Sequence, residues 1–292
     1  MGKLTVLEGG VFSTIQDEGR SGYRKFGIPV SGAMDSISYR LANTLVGNPS
    51  DFPAIEFSLK GGKYRFDSEA FIAITGALMN PRINDLEVQM NTSIRVDAGS
   101  VLELGFAQKG VRAYLGIKGV WDIKKVMESY STCIQGKFGG YKGRVLQAGD
   151  KIRWQDQSHD YEVKSLSKEK IPYYSSKVNV DFYIGPEWNL LSKKEKEKFL
   201  STSFTIDSRS NRMGIRLDTE TPLVVKEFNM KSSGVMPGII QLPQNGKPII
   251  LMNDAQTVGG YPRIGKIVDS DLNRIAQVPP NGTIRFKKSE ID

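Results

Sequence analysis

This 292-residue chain has a single cysteine, Cys133, and a single histidine, His159. One cysteine rules out a disulfide framework within the chain. Two such residues cannot assemble a Cys/His zinc site. Any Ser-His-Asp or Cys-His nucleophile would have to use His159, which sits in "DQSHDYE", a polar stretch expected on a surface loop. Long hydrophobic runs are also missing. The longest, such as Phe71-Ile72-Ala73-Ile74, are far too short to span a bilayer. The first residues lack a basic-then-apolar leader, so a cytoplasmic, reducing location is expected. Phosphate-binding fingerprints and a nucleophile elbow are absent, and "QNGKP" (244–248) reads as a hairpin turn rather than a P-loop.

Apolar content of 39% and charged content of 25% are those of a soluble globular protein. The net charge of +8 does not form a nucleic-acid patch. Its densest run, Lys193 to Lys198, alternates acid and base, and Ser192 with Glu195 fits a capping box. That run predicts a solvated helix, and the basic surplus equally suits an acidic partner protein. No membrane association is expected. "NMKSS" (229–233) lacks the second Met of a biotin-carrier motif, so Lys231 is not expected to carry biotin.

Thirty glycines and 13 prolines punctuate many runs of about four to seven β-rich residues. "AFIAITG", "SVLELGF", "VNVDFYIG" and "GTIRF" are examples. The pattern predicts a mainly β fold of antiparallel barrels or sandwiches with a few short helices. One helix follows Ser31, with Met34, Ile37, Leu41 and Leu45 on a stripe and Gly47 at its C-terminus. The second is the charged run. The third is "DSDLNRIAQV", where Asp269 or Ser270 can cap and Leu272, Ile275 and Ala276 face inward. "LQAGDKIRW" (146–154) and "VPPNGTIRF" (278–286) share a turn followed by an Ile-Arg-aromatic strand, and "VDAGSVLEL" (96–104) has a similar turn. Duplication and chance are equally good accounts of that echo. The expected organisation is an N-terminal β-rich lobe over 1–154, a polar linker-like segment over 155–176, and a C-terminal lobe over 177–292, with the lobes free to interleave.

Four segments interleave polar residues with Gly and Pro rather than with core residues. They are "TIQDEGRSGYRKFGIPVSGAMD" (14–35), "GGYKGRVLQAGD" (139–150), "SRSNRMGIRL" (208–217) and "SSGVMPGIIQLPQNGKPIILMNDAQTVGGYP" (232–262). Glycine there frees the backbone for left-handed turns or close approach of another group. Barrel loops need glycine anyway, and Arg-Asp pairs often only tie loops down. "QTVGGYPRIG" (256–265) fits neither a packed helix nor a central strand.

With "GPEW" (185–188), these motifs run in order from end to end, and the chain resembles the allophanate hydrolase subunit 2, or carboxyltransferase A/B domain, family. The resemblance implies a cyclophilin-like β-barrel architecture. It also implies a role as the C subunit of an ATP-dependent 5-oxoprolinase, which is a hydrolase acting on a small cyclic amide. The implied partners are a subunit-1 protein, resembling the 5-oxoprolinase B subunit, and a LamB/YcsF-type protein as the A subunit. ATP is then expected to bind at the level of the complex. The alternatives are a biotin-dependent carboxyltransferase component of the urea carboxylase type, with biotin carried by another protein, and a non-catalytic regulatory partner. No metal is implied.

Either chemistry must stabilise an oxyanion and hold a carboxylate or phosphate. On that ground Arg20, Arg209 and Arg212 are the candidate anion binders, because guanidinium pairs bidentately with such groups. Asp17, Asp35 and Asp254 are candidates for proton transfer or for orienting those arginines. The backbone N–H groups of Gly259 and Gly260, with Gln256 and Thr257, are the candidate oxyanion hole. Ser31, Asn211, Gln241 and Tyr261 complete the expected substrate-binding set. The sequence departs from the family pattern in three places. Val258 stands where a second Thr is common, Ser232-Ser233 where an Asp often precedes the Gly, and "ESYSTC" (128–133) where Gly-Ser-Arg-Ser-Thr is typical.

Overall fold

The computed structural model describes residues 1–155, 162–225 and 230–290. Contacts divide the chain into two compact units. The first is Met1–Arg20 with Ser31–Tyr174, and the second is Ser21–Val30 with Ser175–Asp292. Residues 162–174, expected as part of a linker, run along the first unit. Lys164 N donates to Ser93 Oγ at 2.7 Å and Leu166 N to Asn91 O at 2.9 Å. His159 lies outside the described residues.

The first unit holds two antiparallel sheets. One has seven strands, in the order Val120–Trp121, Lys151–Gln155, Gly2–Glu8, Lys60–Phe66, Val101–Phe106, Arg82–Ile83, Leu86–Glu87. The other has five, Phe12–Gln16, Ala54–Ser58, Lys109–Ile117, Ala70–Leu78 and Ser93–Val96. Alternate residues of both sheets, among them Leu4, Tyr64, Ile72, Leu102, Leu115 and Trp154, form a common core. The second unit is a closed seven-stranded barrel, as the resemblance implied. Its strand order is Lys177–Ile184, Arg263–Ile267, Ile239–Gln241, Ile249–Leu251, Gly214–Asp218, Phe204–Ile206, Thr283–Lys288. Phe182, Trp188, Phe199, Phe204 and Phe286 form an aromatic cluster, with the Phe199 and Phe286 rings stacked at 4.5 Å.

Pairing is antiparallel throughout the first unit, and in the barrel at every seam but one. Lys177–Ile184 and Thr283–Lys288 pair in parallel, from Lys177 opposite Thr283 to Phe182 opposite Lys288. A parallel pair needs a long crossover, and here the rest of the barrel supplies it. The two copies of the Ile-Arg-aromatic echo become strands of different units, Lys151–Gln155 and Thr283–Lys288.

Three α-helices occur among the described residues. The first, α1 (Ser36–Val46), is capped by Asp35, whose carboxylate accepts from Ser38 N at 3.1 Å. Gly47 ends it at φ 76°, a left-handed value that glycine adopts without penalty. The predicted apolar stripe is displaced. Ile37 is exposed, while Ser38, Tyr39, Ala42, Asn43, Leu45 and Val46 are buried. Met34 is buried but precedes the helix. The face is set by packing on the strands Ala70–Leu78 and Lys109–Ile117, where small residues allow a close approach. The second helix, α2 (Lys193–Ser201), starts at Ser192, whose Oγ accepts from Glu195 N at 3.2 Å. Glu195 does not close the box. It is buried and accepts from Val224 N at 2.9 Å. Ser192→Ala should cost about 1 kcal/mol, read as a lower denaturation midpoint. The third helix, α3 (Asp269–Ile275), has Val268 at its N-cap and no side-chain cap. Ile275 and Ala276 face inward as expected, whereas Asp271 turns in to accept from Asp181 N at 2.7 Å. No helix among the described residues is long and apolar enough to cross a membrane.

Candidate functional site

The nominated residues fall into two sets, one in each unit. In the first unit Asp17 is buried and receives four donors. Ser129 Oγ donates to it at 2.6 Å, Tyr130 N at 2.6 Å, Gly19 N at 2.8 Å, and Ser131 Oγ by a short bond. Arg20 is 1% exposed. It donates to Val126 O at 3.1 Å and to Ser131 O, and its guanidinium lies 4.8 Å from the Phe138 ring centroid. Both residues thus fasten the 126–131 loop. "ESYSTC", read as a departure, supplies the hydroxyls that match Asp17. That partnership was not legible in the sequence, because a run of hydroxyls carries no address for its acceptor.

Asp35 accepts from Ser38 Oγ at 2.7 Å and Tyr174 Oη at 3.3 Å. Its backbone N–H donates to Tyr114 Oη, which in turn donates to the buried Glu56 at 2.7 Å. Burial pushes the Tyr114 and Tyr174 hydroxyls far above the ordinary phenol range, so both remain protonated donors. Ser31 is fully buried at φ 56°, and its Oγ has no hydrogen-bond partner among the described residues.

In the second unit the barrel carries a pocket of about 150 Å³. Asn211, Gln241, Gln256 and Tyr261 line it, as nominated, over a floor of Met213, Ile249 and Leu251. Arg216, which sequence reasoning missed, also lines it, and the strand period that projects it outward was the available signal. Gln241 is 1% exposed and its Nε2 has no partner among the described residues. Its Oε1 accepts from Gln256 Nε2 at 3.4 Å.

Arg212 and Asp254 do not line this pocket. They form a buried bidentate pair, Nε to Oδ2 at 2.8 Å and Nη2 to Oδ1 at 3.1 Å. With Asp254 N donating to Arg212 O and Met252 N to Met213 O, the pair ties together the two chain segments that present Asn211 and Gln256. Arg209 points elsewhere. It is largely exposed and bound to Asp207, which holds the Asp207 carboxyl far below the usual range.

Val258–Gly259 pairs with Ser233–Gly234 as a two-stranded ribbon. Thr257 adds its carbonyl, which accepts from Val235 N at 3.0 Å. Two arginines unforeseen from sequence brace the ribbon: Arg24 donates to Val235 O, and Arg263 Nη1 to Gly234 O at 3.3 Å. Arg263 is fixed by Glu187 through bonds of 2.9 and 2.7 Å. That bonding holds the Glu187 carboxyl below its ordinary value of 4.5. The folded form therefore gains stability at neutral pH that fades as pH falls from about 4.5 through the lower folded value. Glu187→Gln should flatten the acid limb of a stability-versus-pH curve below about pH 4.5.

No group of three or more His, Cys, Asp or Glu among the described residues is placed to hold a metal ion. The helix N-termini do not suit a nucleotide phosphate either. Asp35 caps α1, Glu195 sits in the first turn of α2, and Asp269 and Asp271 open α3, so negative charge stands where an anion would bind.

The Carboxyltransferase domain, subdomain A and B, family model matches residues 26–288. The chain is 35% identical to the 5-oxoprolinase C subunit of Escherichia coli, over 99% of this chain and 92% of that one. Its identity to the protein of the same name from Haemophilus influenzae is also 35%, over 94% and 87%. The solved structure of K. lactis urea amidolyase superimposes with a TM-score of 0.92 at 31% identity, covering 99% of this chain but 19% of that much longer one. With matched motifs, barrel and near-complete coverage together, the chain belongs to the carboxyltransferase-domain family, subdomains A and B.

Proposed function

We propose that this chain is the C subunit of an ATP-dependent 5-oxoprolinase and that its barrel pocket receives the ring of the cyclic amide. The observation that carries the reading is the pocket's chemistry. A cavity of about 150 Å³ has the size that holds one small ring. With Gln256 Nε2 bonded to Gln241 Oε1, Gln241 offers its NH₂ as a donor and Gln256 its oxygen as an acceptor, matching the C=O and N–H of a lactam. Met213, Ile249 and Leu251 suit the ring methylenes. End-to-end similarity to proteins named as 5-oxoprolinase C subunits supports the same reading.

Hydrolysis breaks the ring C–N bond; water supplies the oxygen to the carbonyl carbon and a proton to the ring nitrogen. In that reaction this chain binds and orients the lactam, while Arg212 and Asp254 position the pocket walls. ATP binds at the level of the complex. The partners are a subunit-1-like protein and a LamB/YcsF-type protein. A second reading, carboxyl transfer from a biotin carried elsewhere, draws on the urea amidolyase likeness, since urea presents the same N–H and C=O groups.

Reconstitution decides between them. The chain is co-expressed with both partners, and glutamate release from 5-oxoproline is followed with and without ATP. ATP-dependent turnover that requires this chain supports the first reading. A well-formed complex without turnover overturns it, and transfer of the carboxyl group from carboxybiotin to a urea nitrogen, giving carboxylated urea and free biotin, would then establish the second.

A further inference from the structure

Gly259 stands directly opposite Ser233 in the short antiparallel ribbon. Directly opposed residues project to the same face, with Cβ atoms about 4.5–5.5 Å apart. A Cβ added to Gly259 would lie 2.6 Å from Gln241 Nε2. The face that carries the Ser233 side chain is therefore the face on which the Gln241 amide rests. Gln241 Nε2 and Ser233 Oγ are both buried and lack a hydrogen-bond partner among the described residues. Gln241 is 1% exposed, lines the pocket, and has its oxygen engaged by Gln256, which leaves the NH₂ as the available half. Buried donors are rarely left unmatched, and two on one face, one of them on a residue that lines the pocket, point to a ligand acceptor.

We propose that Gln241 Nε2 and Ser233 Oγ together hold the carbonyl oxygen of a bound cyclic amide. Gly259 is glycine because a side chain there would displace the Gln241 amide. The inference rests on the lactam reading above and assigns the oxygen to particular atoms. It moves the oxyanion site from the backbone of Gly259 and Gly260 to two side chains. Gly260 has no comparable constraint, since a Cβ there would meet Ser232 Oγ at an ordinary 3.5 Å. Two donors aimed at one oxygen stabilise the charge that grows on it as the carbonyl carbon is attacked.

The test uses the reconstituted complex with Gln241→Met, Ser233→Ala, Gly259→Ala and the Gly259→Ala/Gln241→Met double variant. Gln241→Met should lower kcat on 5-oxoproline about 100-fold, with a much smaller change in KM. Ser233→Ala should lower it about tenfold. Gly259→Ala should match Gln241→Met, and the double variant should be no worse, because both act through one amide. Unchanged kcat in Gln241→Met, or fully additive losses, would overturn the proposal. A second arm needs no turnover and no variant fold. In the ¹⁵N-labelled wild-type chain, the Gln241 side-chain amide resonance should shift on titration with 5-oxoproline and with 2-pyrrolidone. An unmoved resonance at saturating ligand sinks the site. An inactive wild-type complex whose Gln241 resonance still shifts would remove the 5-oxoprolinase reading while keeping the amide-oxygen site.

Discussion

Asp254→Ala should destabilise the barrel unit by about 3–5 kcal/mol, seen as a lower midpoint in chemical denaturation. The two side chains are only 6% and 7% exposed, so the variant leaves a buried guanidinium without its carboxylate. Desolvating that charge was offset by a bidentate bond that alanine cannot make. Arg212→Ala should cost a similar amount for the mirror-image reason. Exchanging both partners for apolar residues, Arg212→Met with Asp254→Leu, should be far milder than either single change, because no charge is then stranded. Asp254→Asn separates positioning from chemistry. As a positioning residue it should lower kcat/KM in step with stability. Loss of turnover at unchanged stability would instead make Asp254 a proton-transfer group.

Asp17→Ala should be comparably severe in the first unit, about 3–5 kcal/mol, because two hydroxyls and two backbone N–H groups lose one shared acceptor. The loop they fasten also carries Ser131 O, which accepts from Arg20, so its release frees the arginine as well. Asp17→Asn keeps one acceptor oxygen and should cost about half as much. Faster proteolysis within 126–133, with the barrel unit still protected, would locate the damage. Equal loss of both units would count against this local account.

The local chemistry was legible wherever neighbours in sequence are neighbours in space. Ser192 caps α2 and Gly47 ends α1. Asn211, Gln241, Gln256 and Tyr261, far apart along the chain, meet around one pocket only through the fold. Candidates chosen for charge fared differently. Asp17, Arg20, Arg212 and Asp254 are consumed by partners inside their own units, and Arg209 by Asp207 two residues away. Charge marks a residue as costly to bury, not as facing a ligand.

What the sequence determined by itself is the strand-rich pattern, the C-terminal end of α1, the N-cap of α2 and the exclusions that follow from one cysteine and one histidine. These depend on periodicity and composition, which are local properties. Only the tertiary structure decided that "TIQDEGRSGYRKFGIPVSGAMD" is shared out, with Ser21–Val30 joining the barrel unit while its flanks stay in the other. It also decided the parallel closure of the barrel at Lys177–Ile184 and Thr283–Lys288, and the approach of the Gln241 amide to Gly259. The physical reason is common to all three. Each depends on an atom brought close by the folded chain, such as Gln241 Nε2 against Gly259, and no local pattern encodes an approach between distant residues.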